Sequence, residues 1–133
     1  MKKVSDMVAE AKAEIKSLSI KEALEKHGAG EVVFVDLRDI RELEREGKIA
    51  GAMHAPRGML EFWVDPESPY HKEIFSSGKN FVFYCSLGWR SALATKAVQD
   101  MGLVNVADIE GGFSAWKEAG GQLESYERKS REG

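Results

Sequence analysis

The sequence is nearly devoid of cysteine, with Cys85 alone among its 133 residues. A single cysteine cannot form a disulfide within the chain, so the fold has to be held by packing and hydrogen bonds. A reducing compartment, which keeps thiols free, is compatible with this composition. We therefore expect Cys85 to be a free thiol that is available for chemistry.

Long apolar runs are missing as well. The longest stretches, such as residues 31–35 and 81–85, fall far short of the about 20 residues that a membrane-spanning helix needs. Residues 1–6 carry positive charge but lead into a mixed polar segment, without the apolar centre of a secretory signal. The sequence predicts no membrane partner and, as the default, a cytoplasmic location.

Basic clusters and metal-binding motifs are also absent. The 19 basic and 22 acidic residues are interspersed and give a net charge of −3, which provides no basic surface for a nucleic-acid partner. The three histidines, at positions 27, 54 and 71, lack the His-Glu-x-x-His spacing of metal sites, and one cysteine cannot make a Cys-x-x-Cys pair. We expect no metal and no other cofactor.

The chain does contain alternating helix and strand patterns, and its 43% of hydrophobic residues suffice for the core of one domain. Capping boxes at Ser19 and Asp39 predict two helix starts, and Gly28 and Gly47 mark where these helices should end. The predicted helices cover residues 4–18, 19–27, 39–47, two short segments within 57–78, 90–101 and 113–118. The predicted strands cover residues 32–35, 52–54, 80–85 and 104–109.

Such alternation is typical of an α/β domain with a mostly parallel sheet. Ligands of these sheets gather at the carboxyl ends of the strands, where Asp36 and Cys85 both fall. The first 16 residues are predicted to be an amphipathic N-terminal helix, residues 17–122 the domain proper, and residues 123–133 a charged, frayed C-terminal tail.

The loop that follows Cys85 carries the strongest functional signal. A lone cysteine at the end of an apolar strand is commonly a core residue. Here, however, the small residues Ser86, Gly88 and Ser91 lead directly into a helix, which predicts a cradle of backbone N–H groups around the sulfur. Such surroundings favour a thiolate nucleophile, and the planar fork of Arg90 suits an oxyanion.

The segment Cys85-x-x-Gly88-x-Arg90-Ser91 resembles the active-site loop of the rhodanese family. Three further segments are similar to that family and occur in the family's order: Val35-Asp36-Leu37-Arg38, Gly47-Lys48-Ile49-Ala50-Gly51-Ala52 and Glu110-Gly111-Gly112-Phe113-Ser114-Ala115-Trp116. Lys48 and Ala50 depart from the usual His and Pro, a difference in a structural segment that leaves the cysteine loop untouched. The matches span about residues 17 to 121.

The resemblance implies a single rhodanese-like domain, with a mostly parallel central sheet of about five strands flanked by helices and an extra N-terminal helix. It implies that Cys85 takes sulfur from a donor such as thiosulfate or a persulfide, holds it as a persulfide, and passes it to a thiol, to cyanide or to an acceptor protein. The implied substrate-binding residues are Ser86, Leu87, Gly88, Trp89, Arg90 and Ser91, and Asp36, Arg38 and Arg57 are candidates for a supporting role.

Two other functions stay open on the sequence. The first is a persulfide carrier or protein-interaction module without efficient turnover, because many domains of this family act in recruitment. The second, less favoured, is a phosphatase or arsenate reductase. The related phosphatase loops place five residues between cysteine and arginine, whereas this chain has four, Ser86 to Trp89. The shorter loop fits a sulfur atom better than a tetrahedral phosphate.

Overall fold

A parallel sheet of five strands lies at the centre of the computed structural model, which describes residues 1–127. The helices are α1 (Val4–Glu14), α2 (Ile20–Ala29), α3 (Ile40–Glu46), α4 (Leu60–Val64), α5 (Trp89–Asp100) and α6 (Gly112–Glu118), with short 3-10 helices at Arg57–Met59 and Glu73–Ser76. The strands are β1 (Ser17–Leu18), β2 (Val32–Asp36), β3 (Lys48–Ile49), β4 (Met53–His54), β5 (Asn80–Tyr84), β6 (Val106–Ile109) and β7 (Leu123–Glu124).

The central sheet has the strand order β1-β6-β5-β2-β4, and each neighbouring pair is parallel. Since side chains of a strand alternate between faces, each strand contributes to two cores. Phe34, Val82 and Tyr84 pack with α2 and α6 on one face, and Val35, Phe81 and Phe83 pack with α4 and α5 on the other. Burial on both faces explains why β2 and β5 appear in the sequence as continuous apolar runs. The predicted α/β class and the parallel sheet are confirmed.

Both predicted capping boxes are present. Ser19 Oγ accepts from the backbone N–H of Glu22 at 3.1 Å, while Glu22 Oε1 accepts from the N–H of Ser19 at 3.0 Å. At the start of α3, Asp39 Oδ1 accepts from the N–H of Arg41, and Glu42 Oε2 accepts from the N–H of Asp39, both at 2.9 Å. These local contacts fix where α2 and α3 begin.

The predicted ends of the first two helices are wrong. Helix α1 ends at Glu14, and Leu18 lies instead in β1, where it is fully buried and pairs with Ile109. The spacing of Leu18 fits the apolar face of a helix, but a single buried residue fits a strand beside β6 equally well. Helix α2 passes Gly28 and stops at Gly30, whose φ of 67° gives the left-handed cap that ends helices.

The remaining elements differ from the prediction in detail. Within residues 57–78, the 3-10 turn at Arg57–Met59 continues directly into α4, and a second 3-10 turn covers Glu73–Ser76. The strand predicted from residue 104 begins at Val106. Within the predicted tail, β7 pairs antiparallel with β3, and residues 128–133 lie outside the described residues.

None of the helices described within residues 1–127 is both long enough and apolar enough to cross a membrane. Over the same residues, no group of three or more His, Cys, Asp and Glu side chains is arranged to hold a metal ion.

Candidate active site

Cys85 stands immediately after β5, at the carboxyl edge of the central strand of the sheet, and its side chain is buried. The chain then crosses Gly88, whose φ of 116° lies in the left-handed region that favours glycine, and enters α5 at Trp89. This turn folds the first residues of α5 back over the sulfur. The loop that the sequence predicts after Cys85 is therefore present between β5 and α5.

The sulfur of Cys85 lies within a small set of polar groups. The backbone N–H groups of Gly88 and Ser91 donate to Sγ at 3.2 and 3.4 Å, and the thiol donates to Ser91 Oγ at 3.6 Å. The two amides belong to the N-cap residue and to the first turn of α5, so the sulfur lies at the positive end of the helix dipole. Donors in this arrangement stabilise negative charge on sulfur, whether on a thiolate or on a persulfide.

A buried carboxylate supports this cradle from below. Ser91 Oγ donates to Asp108 Oδ2 at 3.2 Å, and Ser17 Oγ donates to Asp108 Oδ1 at 2.5 Å. Burial raises the pKa of Asp108, and the hydrogen bonds from the two serines oppose that rise. Sequence reasoning missed Asp108, although an acid within the apolar run 104–109 was a visible signal.

The start of α6 holds the loop from the other side. The backbone N–H of Phe113 donates to the carbonyl of Cys85 at 2.8 Å, and that of Ser114 donates to the carbonyl of Ser86 at 3.1 Å. This close approach depends on Gly112, which has a φ of 59° and whose missing Cβ would lie 2.5 Å from the carbonyl oxygen of Cys85. The glycine pair recognised in the sequence thus fixes the backbone of the cysteine loop.

A cavity of about 380 Å³ opens above the sulfur. Its lining residues are Cys85, Ser86, Leu87, Trp89 and Arg90. Two of them are large, apolar and exposed, Leu87 at 69% and Trp89 at 50%. The predicted loop residues therefore meet around one opening, while Gly88 and Ser91 lie beneath it against the sulfur.

Arg90 is engaged by a carboxylate. Its Nη1 and Nη2 donate to the two oxygens of Glu42 at 2.8 and 3.1 Å, a bidentate ion pair between α5 and α3. The hydrogen bonds from Arg90 lower the pKa of Glu42, and the same pair raises the pKa of Arg90. The sequence showed Glu42 only as a capping residue of α3, because the two partners are 48 residues apart.

Asp36 and Arg38, the candidate supporting residues, lie in the interior instead of the site. Both are fully buried, and Arg38 donates from Nε and Nη2 to Asp36 Oδ1 and Oδ2 at 3.0 and 2.8 Å. Arg38 also donates to the carbonyl of Gly47 at 2.6 Å and stacks over the ring of Phe113, with Cζ 4.0 Å from the ring centre. Asp36 therefore orients Arg38 and not Arg90, and the pair joins β2, α3 and α6.

Arg57 likewise lies outside the cavity above Cys85. Its Nη1 forms an ion pair with Glu61 Oε1 at 2.7 Å. The side chain borders a separate surface groove between α1 and α5, together with Lys2 and Lys96. A supporting role of Arg57 in the site therefore finds no support in this position.

Comparison with known proteins agrees with the geometry. YtwF of Bacillus subtilis, a sulfurtransferase by name, is 32% identical over 105 residues, which cover 78% of this chain and 92% of that protein. The human thiosulfate:glutathione sulfurtransferase is 26% identical over 108 residues, covering 77% and 93% of the two chains. These relatives support a rhodanese-type sulfurtransferase in general terms.

A solved structure from Rhodopseudomonas palustris, of a protein of unknown function described as a possible tyrosine phosphatase, is 55% identical. It superposes with a TM-score of 0.90 and covers 93% of this chain and 96% of that one. The family model of the rhodanese-like domain matches residues 19–119, which include the cysteine loop and the glycine pair of α6. The chain therefore belongs to the rhodanese-like domain family.

Proposed function

We propose that this protein transfers sulfane sulfur from a donor such as thiosulfate or a persulfide to a thiophilic acceptor, with the sulfur carried as a persulfide on Cys85. The observation that carries the proposal is the position of Sγ, which accepts from the N–H groups of Gly88 and Ser91 at the base of an open cavity. A cysteine that only packs in the core does not need backbone N–H groups directed at its sulfur.

The reaction has two steps. In the first, the Cys85 thiolate attacks the outer sulfur of the donor, the new S–S bond forms, and the old S–S bond breaks. The leaving group departs with the electron pair, as sulfite from thiosulfate or as a thiolate from an organic persulfide. In the second step, an acceptor thiolate or cyanide attacks the outer sulfur, and Cys85 leaves as a thiolate. No oxidant or cofactor enters the balance.

The loop residues have separate parts in this scheme. Gly88 and Ser91 supply the amides that stabilise charge on the cysteine sulfur, and Leu87 and Trp89 form the walls of the entrance. Because the sequence holds no second cysteine, no internal thiol can release the sulfur. The acceptor is therefore an external thiol, cyanide or the thiol of a partner protein, and the free thiol suits the reducing cytoplasm.

Mass spectrometry of the intact protein tests the proposal. After exposure to thiosulfate or to an organic persulfide and removal of the excess, the protein should gain one sulfur atom on Cys85. Cyanide or a small thiol should remove it, and Cys85→Ser should never acquire it. If no donor adds sulfur to the wild-type protein, the sulfurtransferase function is excluded.

The similarity to the Rhodopseudomonas palustris protein makes phosphatase activity the second candidate. Two features of the site speak against it. The loop places four residues between Cys85 and Arg90, and both terminal nitrogens of Arg90 already donate to Glu42. Hydrolysis of an aryl phosphate by the wild-type protein, without sulfur uptake, would establish the phosphatase. Sulfur uptake that only a protein acceptor can reverse would identify a persulfide carrier.

A further inference from the structure

The charge at the mouth of the cavity is balanced before any substrate arrives. Among residues 1–127, which the structure describes, Arg90 is the only basic residue that lines the cavity over Cys85. Its Nη1 and Nη2 are 2.8 and 3.1 Å from the two carboxylate oxygens of Glu42, so the guanidinium carries its counter-ion with it. A binding site for a small dianion would instead present uncompensated positive charge.

We infer that Glu42 determines the donor class of this site, and that the protein takes its sulfur from organic persulfides with an apolar body in preference to the thiosulfate dianion. This inference rests on the proposed sulfurtransferase function.

Electrostatic repulsion by Glu42 disfavours thiosulfate at this site. Thiosulfate that presents its outer sulfur to Cys85 has to leave its sulfonate group near the mouth, within reach of Arg90. At similar distances, the repulsion of the dianion by a carboxylate and its attraction by a guanidinium are of the same order and opposite in sign. Because the Glu42 carboxylate adjoins the guanidinium, its repulsion of the dianion offsets most of the attraction by Arg90.

The ion pair between Glu42 and Arg90 is also costly to separate. For Arg90 to bind an oxyanion with both terminal nitrogens, it has to leave Glu42. Glu42 is held in place from its own helix, because Oε2 also accepts from the backbone N–H of Asp39 at 2.9 Å. The carboxylate side chain is only 21% exposed, so water replaces a lost Arg90 poorly. Release of Arg90 therefore costs free energy that a small oxyanion has to overcome.

The rim of the cavity is apolar. Leu87 and Trp89 leave 69% and 50% of their surfaces exposed beside the opening above Cys85. A carbon chain attached to the donor sulfur would cover these surfaces and be stabilised in proportion to the apolar area removed from water. A sulfonate group gains nothing from the same contact. Neutral charge and an apolar rim thus select the same class of donor.

Steady-state kinetics with two donors tests this inference. The donors are thiosulfate and an alkyl persulfide without charged substituents, generated in the assay, with one thiol acceptor throughout. In Glu42→Gln, kcat/KM for thiosulfate should rise about tenfold, equivalent to ~1.4 kcal/mol, while that for the alkyl persulfide changes less than about twofold. Added salt should slow the thiosulfate reaction of Glu42→Gln more steeply than that of the wild type.

Two further variants make the test specific. Glu44→Gln removes the same charge from an exposed position of α3 and should leave kcat/KM unchanged for both donors. Glu42→Asp keeps the carboxylate and should keep the wild-type preference for the alkyl persulfide, which separates charge from loss of the side chain. Urea denaturation of each variant shows whether it is folded.

The inference is overturned if Glu42→Gln changes kcat/KM equally for both donors, or if it lowers kcat/KM for thiosulfate alone. The second result would mean that Glu42 holds Arg90 ready for an oxyanion. These outcomes differ from failure of the proposed function, in which wild-type Cys85 would take up no sulfur from either donor.

Discussion

Replacement of Gly112 by alanine tests how the loop after Cys85 is held. Gly112 has a φ of 59°, and a Cβ at this residue would lie 2.5 Å from the carbonyl oxygen of Cys85 and 2.8 Å from that of Ser86. The left-handed conformation alone costs an alanine roughly 1–2 kcal/mol. The contact with two backbone carbonyls cannot be relieved by rotation of a side chain, so α6 and the loop have to separate.

That separation breaks the hydrogen bonds that Phe113 and Ser114 donate to the loop carbonyls. Each contributes about 1 kcal/mol, so Gly112→Ala should lose about 3–4 kcal/mol of its free energy of unfolding. Gly120→Ala is the matched control. Gly120 is also left-handed, with a φ of 78°, but no atom lies within 4 Å of its Cβ position. The free energy of unfolding of Gly120→Ala should therefore fall by only roughly 1–2 kcal/mol.

Urea denaturation gives the two free energies, and mass spectrometry gives the rate at which Cys85 gains sulfur under conditions where both variants are folded. Gly112→Ala should form the persulfide more than about tenfold more slowly than Gly120→Ala, because displaced loop amides no longer meet the sulfur. Equal stabilities and equal rates for the two variants would refute the view that α6 fixes the loop through this glycine.

Two further variants test the buried charges. Arg38→Met leaves Asp36 buried without its partner and should reduce the free energy of unfolding by about 3–5 kcal/mol in urea titrations, whereas a change below ~1 kcal/mol would mean that the ion pair is dispensable. Burial raises the pKa of Asp108 in the folded state. The carboxyl group therefore favours the folded protein only at acid pH, where it is protonated, and this stabilisation is lost as the pH rises through the folded-state pKa. Asp108→Asn should therefore have a higher urea midpoint than the wild type at pH about 7, with a smaller difference near pH ~4, and a lower midpoint at neutral pH would contradict this.

Features that depend on neighbouring residues could be predicted from the sequence. The starts of α2 and α3 follow from capping boxes whose partners are three residues apart, and both are present as predicted. The parallel sheet follows from the apolar runs of β2 and β5, which are buried on both faces. The turn after Cys85 follows from its small residues, because Gly88 is needed where φ is positive.

Features that depend on distant partners could not be predicted. Strand β1 has two residues and no periodicity of its own, and it exists because Ser17 and Leu18 pair with β6, 91 residues away. Arg38 is a supporting candidate in the sequence because its segment resembles that of the family, but its fork binds a carboxylate in the interior. The sequence gives no distance between Glu42 and Arg90, so the neutralised charge at the mouth emerges only from the fold.

The ion pair between Glu42 and Arg90 also restricts how this protein can be altered. One carboxylate completes the helix cap of α3 and balances the cation of the cysteine loop. A designer who wishes to change the charge at the mouth therefore has to rebuild the start of a helix at the same time. The same holds for random mutation, because a substitution of Glu42 that favours a new donor also changes the stability of the start of α3. Substrate preference in this chain is thereby tied to the yield of folded protein.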